Sequence, residues 1–305
     1  MQNFTMQTQD RLALYVRHWP CGGPRAVIQI VHGMAEHGGR YDAFARFLNQ
    51  NGFAVVADDH RGHGKSVQDI KDLGYMADDN GFERLVEDEK QINDWIAKQY
   101  PGTPRVLLGH SMGSFASQRY FEKYGGTVDA LLLTGTNSFP AQPVKLGRKL
   151  AKGLMKLHGR RYKSFLIDRL AFLHYHAKVP KDVGRYGWLT RDMAILNEYL
   201  HDQYCGAVFP VSFFYDLFTG FLTIHEKENL KRIPKDKPIY IFCGSDDPVG
   251  EYGAGPARLY SLYTSLGVQD VSLRLYPRAR HELLNEINLK QVYADLLSFL
   301  TSRGF

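Results

Sequence analysis

The sequence predicts an α/β fold: a mostly parallel sheet with helices on both faces and one long helical insertion between two of its strands. Three observations carry that prediction. Short apolar runs alternate with longer amphipathic stretches along most of the chain. The runs are continuous rather than alternating, as strands covered on both faces require. The alternation lapses only between about residues 137 and 230. With 305 residues, 44% hydrophobic and 23% charged, the chain can bury a large core without a disulfide or metal.

Taken in order, "RLALYVRHW" (Arg11–Trp19) reads as antiparallel edge structure ahead of the parallel strands. "RAVIQIVHG" (25–33), "FAVVADDH" (53–60), "RVLLGHS" (105–111), "DALLLTG" (129–135), "PIYIFCGSDD" (238–247) and "VSLRLYP" (271–277) read as strands. Helices are expected at 41–51, 82–100, 111–124, 251–266 and 288–301. In the second of these, Leu85, Ile92, Trp95 and Ile96 lie among charges, the pattern of one buried face. Repeated strand–helix alternation implies parallel pairing with crossover helices. The text from 137 to 230 is helical and aromatic-rich instead, so residues 1–136 and 231–305 are expected to form the core and 137–230 an insertion.

Composition narrows the class. The cysteines Cys21, Cys205 and Cys243 are odd in number and form no CxxC, which points to a reducing, cytoplasmic setting. The N-terminal text lacks the basic and apolar regions of a signal peptide, and no window approaches a membrane span. A net charge of +6 suggests affinity for an anionic surface. Much of it is local: Lys145–Lys163 holds eight Lys/Arg and no acid, with Leu146, Leu150, Leu154 and Leu157 at helical spacing. Such a segment is either a solvated basic helix or an amphipathic one resting peripherally on anionic lipid. No nucleic-acid motif accompanies it, so nucleic acid is not an expected partner.

Gly109-His110-Ser111-Met112-Gly113 matches G-x-S-x-G. The pattern alone arises by chance in about one chain in ten of this length. Its setting is more specific: a buried strand precedes it and a helix follows, the context of a nucleophile on a strained turn. An N-capping serine is the plain alternative. A serine nucleophile needs a base, an orienting carboxylate and donors for the oxyanion, with the acid and then the base following in sequence. His281, in the loop after the last strand, is the candidate base. The acid is Asp246 or Asp247; Asp247 is favoured, although position alone leaves both open. Backbone N–H groups of Met112 and, in the loop after the first parallel strand, Met34 are the candidate oxyanion donors. "GHGKS" lacks the first glycine of a P-loop, and "HELLN" lacks the second histidine of a zinc-protease motif. Neither a metal nor another cofactor is expected.

The blocks "HGMAEHGGRY", "DDHRGHGKS", "GHSMGS", "GSDDPV" and "RHELLNE", with "WLTRD" and "DQYCG" in the insertion, together resemble the α/β-hydrolase superfamily. The likeness is greatest to its monoacylglycerol lipase and bacterial lysophospholipase-like members. That resemblance implies the α/β-hydrolase fold and a helical cap over the site at 137–230. It also implies carboxylic ester hydrolysis without a cofactor, with Ser111 as nucleophile, His281 as base and Asp247, the last residue of "GSDD", as acid. Met34 and Met112 fall at the oxyanion positions. The implied substrate is a small ester or lipid, monoacylglycerol or lysophospholipid foremost. A hydroxycinnamate or other small-ester esterase, a peptidase of the same fold and a receptor-like binding module are the alternatives. The aromatic run "AVFPVSFFYDLFTGF" (207–221) is expected to line part of an apolar pocket.

Overall fold

The computed structural model describes residues 1–173 and 175–305. Two strands, β1 (Gln2–Gln7) and β2 (Ala13–Trp19), open the chain as an antiparallel pair. They are followed by β3 (Ala26–Val31), α1 (Asp42–Gln50), β4 (Phe53–Asp59), α2 (Gly81–Gln99), β5 (Arg105–His110), α3 (Met112–Tyr124) and β6 (Ala130–Thr134). After an intervening helical segment come β7 (Ile239–Gly244), α9 (Ala254–Ser265), β8 (Val271–Tyr276) and α10 (Leu289–Ser302). That segment contains α4 (Ala141–His158), α5 (Phe165–Ala171), α6 (Met193–His201), α7 (Val211–Thr223) and the single turn α8 (Lys227–Leu230).

The eight strands form one sheet in the order β1-β2-β4-β3-β5-β6-β7-β8, parallel from β4 onward. Strands β3 to β7 are buried at every position, or at all but the first in β5, which accounts for their unbroken apolar text. Helices α1 and α10 cover one face through Phe44, Leu48, Leu296 and Phe299. Helices α2, α3 and α9 cover the other through Leu85, Phe115 and Leu259. In the opposite crossovers, β4 falls on one side of β3 and β5 on the other. The strand order therefore reverses between β3 and β5, opening a crevice at their carboxyl ends. The loops after these two strands carry Met34 and Ser111. Helix α7 packs on α2 and α3, and α4 packs on α7.

Two details differ from the sequence expectation. Strand β1 has the largely polar text "QNFTMQ"; it is the sheet's edge, paired with β2, and only the alternate residues Phe4 and Met6 are half-buried against the core. The helix expected at 251–266 is broken at its start. Glu251, Tyr252 and Gly253 all have positive φ, so the α-helix begins only at Ala254.

Candidate active site

Ser111 stands between β5 and α3 with φ 52° and ψ −122°, a conformation costly for a residue with a side chain. Its N–H donates to Thr134 O (3.0 Å), and its carbonyl accepts from Ser114 N–H (2.8 Å) and Ser114 Oγ–H (2.6 Å). The glycines on either side permit this turn. A Cβ on Gly113 would lie 2.0 Å from Val31 O, and one on Gly109 2.4 Å from Ser117 Oγ. The Ser111 side chain makes no capping bond to α3, which removes the N-cap alternative.

His281, in the loop after β8, is buried against the same crevice. Its Nδ1 donates to Asp247 Oδ1 (3.0 Å), leaving Nε2 with its lone pair and no hydrogen-bond partner among the described residues. Burial works against protonating the ring, yet Asp247 outweighs it and raises the His281 pKa above its ordinary value. Asp247 is fully buried, and its Oδ1 also accepts from Val249 N–H (2.9 Å). Asp246 turns away, partly exposed, with Lys178 Nζ 3.6 Å from its Oδ1. Of the two aspartates, then, Asp247 is the one that meets His281.

Ser111 and His281 line one cavity of about 510 Å³ together with Met34 and Met112, although Ser111 Oγ and His281 Nε2 are not hydrogen-bonded. Neither methionine amide donates to a backbone carbonyl among the described residues. Much of the remaining wall comes from the helical segment: Val144 and Leu150 of α4, Ile167 and Leu170 of α5, and Phe214, Leu217, Phe218 and Phe221 of α7. The aromatic run thus divides its work. Phe209 and Phe213 pack on His63 of the sheet domain, while the later phenylalanines face the cavity.

Several further participants, most of them inside the quoted sequence blocks, are not among the expected site residues. Arg40 donates to Glu36 (2.8 Å) and, through both terminal nitrogens, to Glu282 (2.7 Å each). It thereby ties the loop after β3 to the histidine loop. Burial would raise Glu282, but Arg40 holds it down to about 2. His110, its ring centroid 4.6 Å from that of His281, is pushed down to about 4, first by burial and then by His281 itself. Trp188 packs on the His281 ring and accepts its backbone N–H (3.3 Å). Tyr199 Oη–H and Gly206 N–H both donate to Ala35 O, at 3.1 and 3.0 Å.

Two side-chain clusters have the donor types of a metal site, and their hydrogen bonds argue against that use. His37, near Asp202 and Cys205, accepts Gly39 N–H at Nδ1, so its proton lies on Nε2, facing Asp202. His60, between Asp58 and Glu89, donates from Nε2 to His32 O and presents Nδ1 to both carboxylates. Neither ring offers a free lone pair to an ion.

Along most of its length the chain is similar to known proteins. The sequence profile of the family described as "Serine aminopeptidase, S33" matches residues 22–288. A monoacylglycerol lipase of Mycolicibacterium smegmatis is 27% identical over 93% of this chain and 90% of its own. The monoglyceride lipase of Homo sapiens is 29% identical over 91% of this chain and 82% of its own. Among solved structures, a thermostable carboxyl esterase from Bacillus coagulans, in complex with glycerol, superposes with a TM-score of 0.92 at 26% identity. That match covers 100% of this chain and 99% of the esterase.

Proposed function

Because the chain belongs to the serine aminopeptidase S33 family of α/β hydrolases, we propose that it cleaves carboxylic esters through an acyl-enzyme on Ser111. The observation that carries this is the strained Ser111 turn, facing the same apolar cavity as a His281 already oriented by Asp247. His281 Nε2 takes the hydroxyl proton as Ser111 attacks the ester carbonyl, and Asp247 stabilises the imidazolium that forms. The unmade Ser111–His281 hydrogen bond closes in the substrate complex, as such contacts commonly do. The Met34 and Met112 amides receive the oxyanion. The alcohol departs with the proton, and water activated by His281 releases the acid.

Monoacylglycerol or lysophospholipid is the substrate we favour. The cavity size is ordinary for a small-molecule site, and its walls are mainly aliphatic and aromatic, as an acyl chain requires. The names of the relatives point the same way. A small-ester or hydroxycinnamate esterase shares the chemistry and differs only in what the cavity selects. Aminopeptidase activity, which the family description names, would call for a free anionic subsite to hold an α-amine. The acids in the cavity wall are Glu36, Asp168 and Glu282; Arg40 already engages the first and third, and Arg185 the second. A receptor-like module without chemistry is disfavoured by the intact Ser111, Asp247 and His281 set.

Residues 137–230 serve in this proposal as a cap whose outer face meets anionic membrane. Leu146, Leu150 and Leu157 recur on one stripe of α4 and are exposed; Lys145, Lys149, Lys152 and Lys156 form the adjacent stripe. Phe165, Leu166 and Leu170 of α5 add to the exposed apolar surface. Leu146, Leu150 and Leu170 also line the cavity, so lipid contact and substrate entry share one rim. Among the described residues no helix is long and apolar enough to cross a membrane, so contact would be peripheral.

The test is hydrolysis of a panel of monoacylglycerols, lysophospholipids and p-nitrophenyl esters of graded chain length, by the wild type and Ser111→Ala. Turnover and fluorophosphonate labelling should both disappear in Ser111→Ala. Unchanged activity in that variant would overturn the mechanism, and turnover of aminoacyl-arylamides but not acylglycerols would overturn the substrate.

A further inference from the structure

The Met34 N–H does not stand alone: it is one end of a peptide whose other end is the Gly33 carbonyl. A peptide unit is planar, and this one is trans, as are all among the described residues, so its C=O and N–H point in opposite directions. Whatever holds the carbonyl therefore aims the amide. Gly33 makes such a hold necessary, because glycine tolerates rotation of the unit that other residues resist. The loop also runs close beside Ser111: a Cβ on Gly33 would lie 3.1 Å from Ser111 Cβ.

Gly33 is held from both sides. Its N–H donates to Glu36 Oε1 (2.6 Å), and its carbonyl lies 2.8 Å from His32 Nδ1. The direction of the second bond follows from the other ring nitrogen. His60 N–H, a backbone group that can only donate, reaches His32 Nε2 at 3.0 Å. The Nε2 lone pair is thus occupied, the neutral ring carries its proton on Nδ1, and Nδ1–H donates to Gly33 O. Burial, with His60 and His63 nearby, keeps His32 well below its ordinary pKa and hence neutral. The ring is stacked on His60 with centroids 3.6 Å apart, and His60 Nε2–H returns a bond to His32 O (3.1 Å). His60 is itself fixed by Asp58 (3.0 Å) and Glu89 (3.1 Å).

We propose that His32 is a positioning residue for the reaction: its Nδ1–H pins the Gly33 carbonyl, so that the Met34 N–H faces the developing oxyanion. The inference rests on Met34 being an oxyanion donor, as proposed above. It also gives the "DDHRGHGKS" block, buried except at Lys65, a task. Asp58 and His60 belong to that block, and they hold the ring that holds the donor.

Asn and Gln separate the two functions of the ring, since an Asn amide nitrogen falls near Nδ1 and a Gln amide reaches the place of Nε2. With p-nitrophenyl butyrate, His32→Gln should lower kcat about 100-fold, the scale of a lost oxyanion donor, with KM within about twofold. Affinity for a trifluoromethyl ketone, which binds as the tetrahedral adduct, should fall by a similar factor. His32→Asn should recover most of both. A folded His32→Gln with kcat within about threefold of wild type would overturn the proposal. So would a His32→Asn that falls as far as His32→Gln, because the loss would then not come from the Nδ1 donor. Nitrogen-15 NMR of the wild-type ring gives a check that needs no variant: the Nδ1–H tautomer is expected, and Nε2–H would overturn the proposal. Ser111→Ala, assayed alongside, tests the underlying mechanism separately; full activity there would refute the ester-hydrolase chemistry whatever the His32 variants do.

Discussion

The serine turn and helix α4 both border the cavity, and they are built on opposite terms. At the turn the backbone is tightly held, while the Ser111 hydroxyl and the His281 Nε2 are left without a mutual hydrogen bond. The Ser111 backbone is fixed by four hydrogen bonds, Gly113 lies where a Cβ would meet Val31 O at 2.0 Å, and the loops on either side are joined by Arg40. Helix α4 is attached along one narrow face, through Val144, Gly147 and Ala151, and leaves Leu146 and Leu157 more than 70% exposed. One region spends its packing on geometry and the other holds apolar surface in reserve. Substitutions should therefore be read as chemistry at the turn and as surface behaviour on α4.

The largest contrast lies within the aspartate pair. Asp247→Asn should lower kcat about 10⁴-fold, since the amide no longer selects the right tautomer or stabilises the imidazolium. Asp246→Asn, whose side chain faces Lys178 and solvent, should change kcat less than about threefold. Steady-state kinetics on a soluble aryl ester decides it, and equal losses would erase the distinction.

Gly113→Ala comes next. Its Cβ would meet the β3 backbone, which cannot move aside without breaking the sheet. A destabilisation of about 3–5 kcal/mol is expected in urea unfolding, on the scale of severe steric substitutions. A variant as stable as wild type would show that the turn is less constrained than its contacts imply.

This division also marks what was legible in the sequence. The turn could be read because its signals are local: a buried strand, two glycines two residues either side of a serine, and a helix. Arg40 and Glu282 are 242 residues apart, and nothing near either one announces the other. The acid was open between neighbours because a difference of one residue decides which carboxylate turns inward, and only the loop from Asp247 to Val249 fixes that. On α4 the regular leucines look like the buried face. The buried face is in fact the small one, where Gly147 lets Phe218 approach until an added Cβ would lie 2.8 Å away. Close helix packing selected small residues, so that of the four leucines only Leu154 packs against the core while Leu146, Leu150 and Leu157 are exposed.

The protonation of His281 gives a prediction that joins the two regions. Only the neutral ring accepts the serine proton, and Asp247 has raised its pKa above about 6.5, the ordinary histidine value. Activity should accordingly be present at higher pH and be lost as pH falls through that raised value. In Asp247→Asn the largest raising charge is gone, leaving only the smaller influence of Glu282 and Glu36 against burial, so the acid limb of the residual activity should move to lower pH. The pH profile of kcat/KM on a soluble ester measures both. Substituting Leu157 of α4 and Phe165 of α5, which do not line the cavity, should leave the limb where it is.

On that surface, Leu157→Ser combined with Phe165→Ser removes two exposed side chains that do not line the cavity. If each inserts only partly into a bilayer, about 1 kcal/mol apiece is lost, or about 10- to 30-fold in vesicle affinity. Turnover of a soluble ester should stay within about twofold of wild type. The measurement is sedimentation with phosphatidylglycerol vesicles at low and at high salt. Salt should weaken the wild type as well, because the lysine stripe contributes through a screened field. Binding unaffected by both salt and the double variant would remove α4 as the docking element.

The smallest effect expected is the mirror image of Gly113→Ala. Gly153 also sits in a helix, but on α4, with nothing within 4 Å of where its Cβ would stand. Alanine there meets no wall and takes freedom only from the unfolded chain. Gly153→Ala should stabilise the protein by about 0.5–1 kcal/mol, with soluble-ester kinetics unchanged. The same Gly→Ala change would thus carry opposite signs at two helices of one cavity. A destabilising Gly153→Ala would mean that α4 is packed on its outer side too, and the contrast between the two regions would fail at its weakest point.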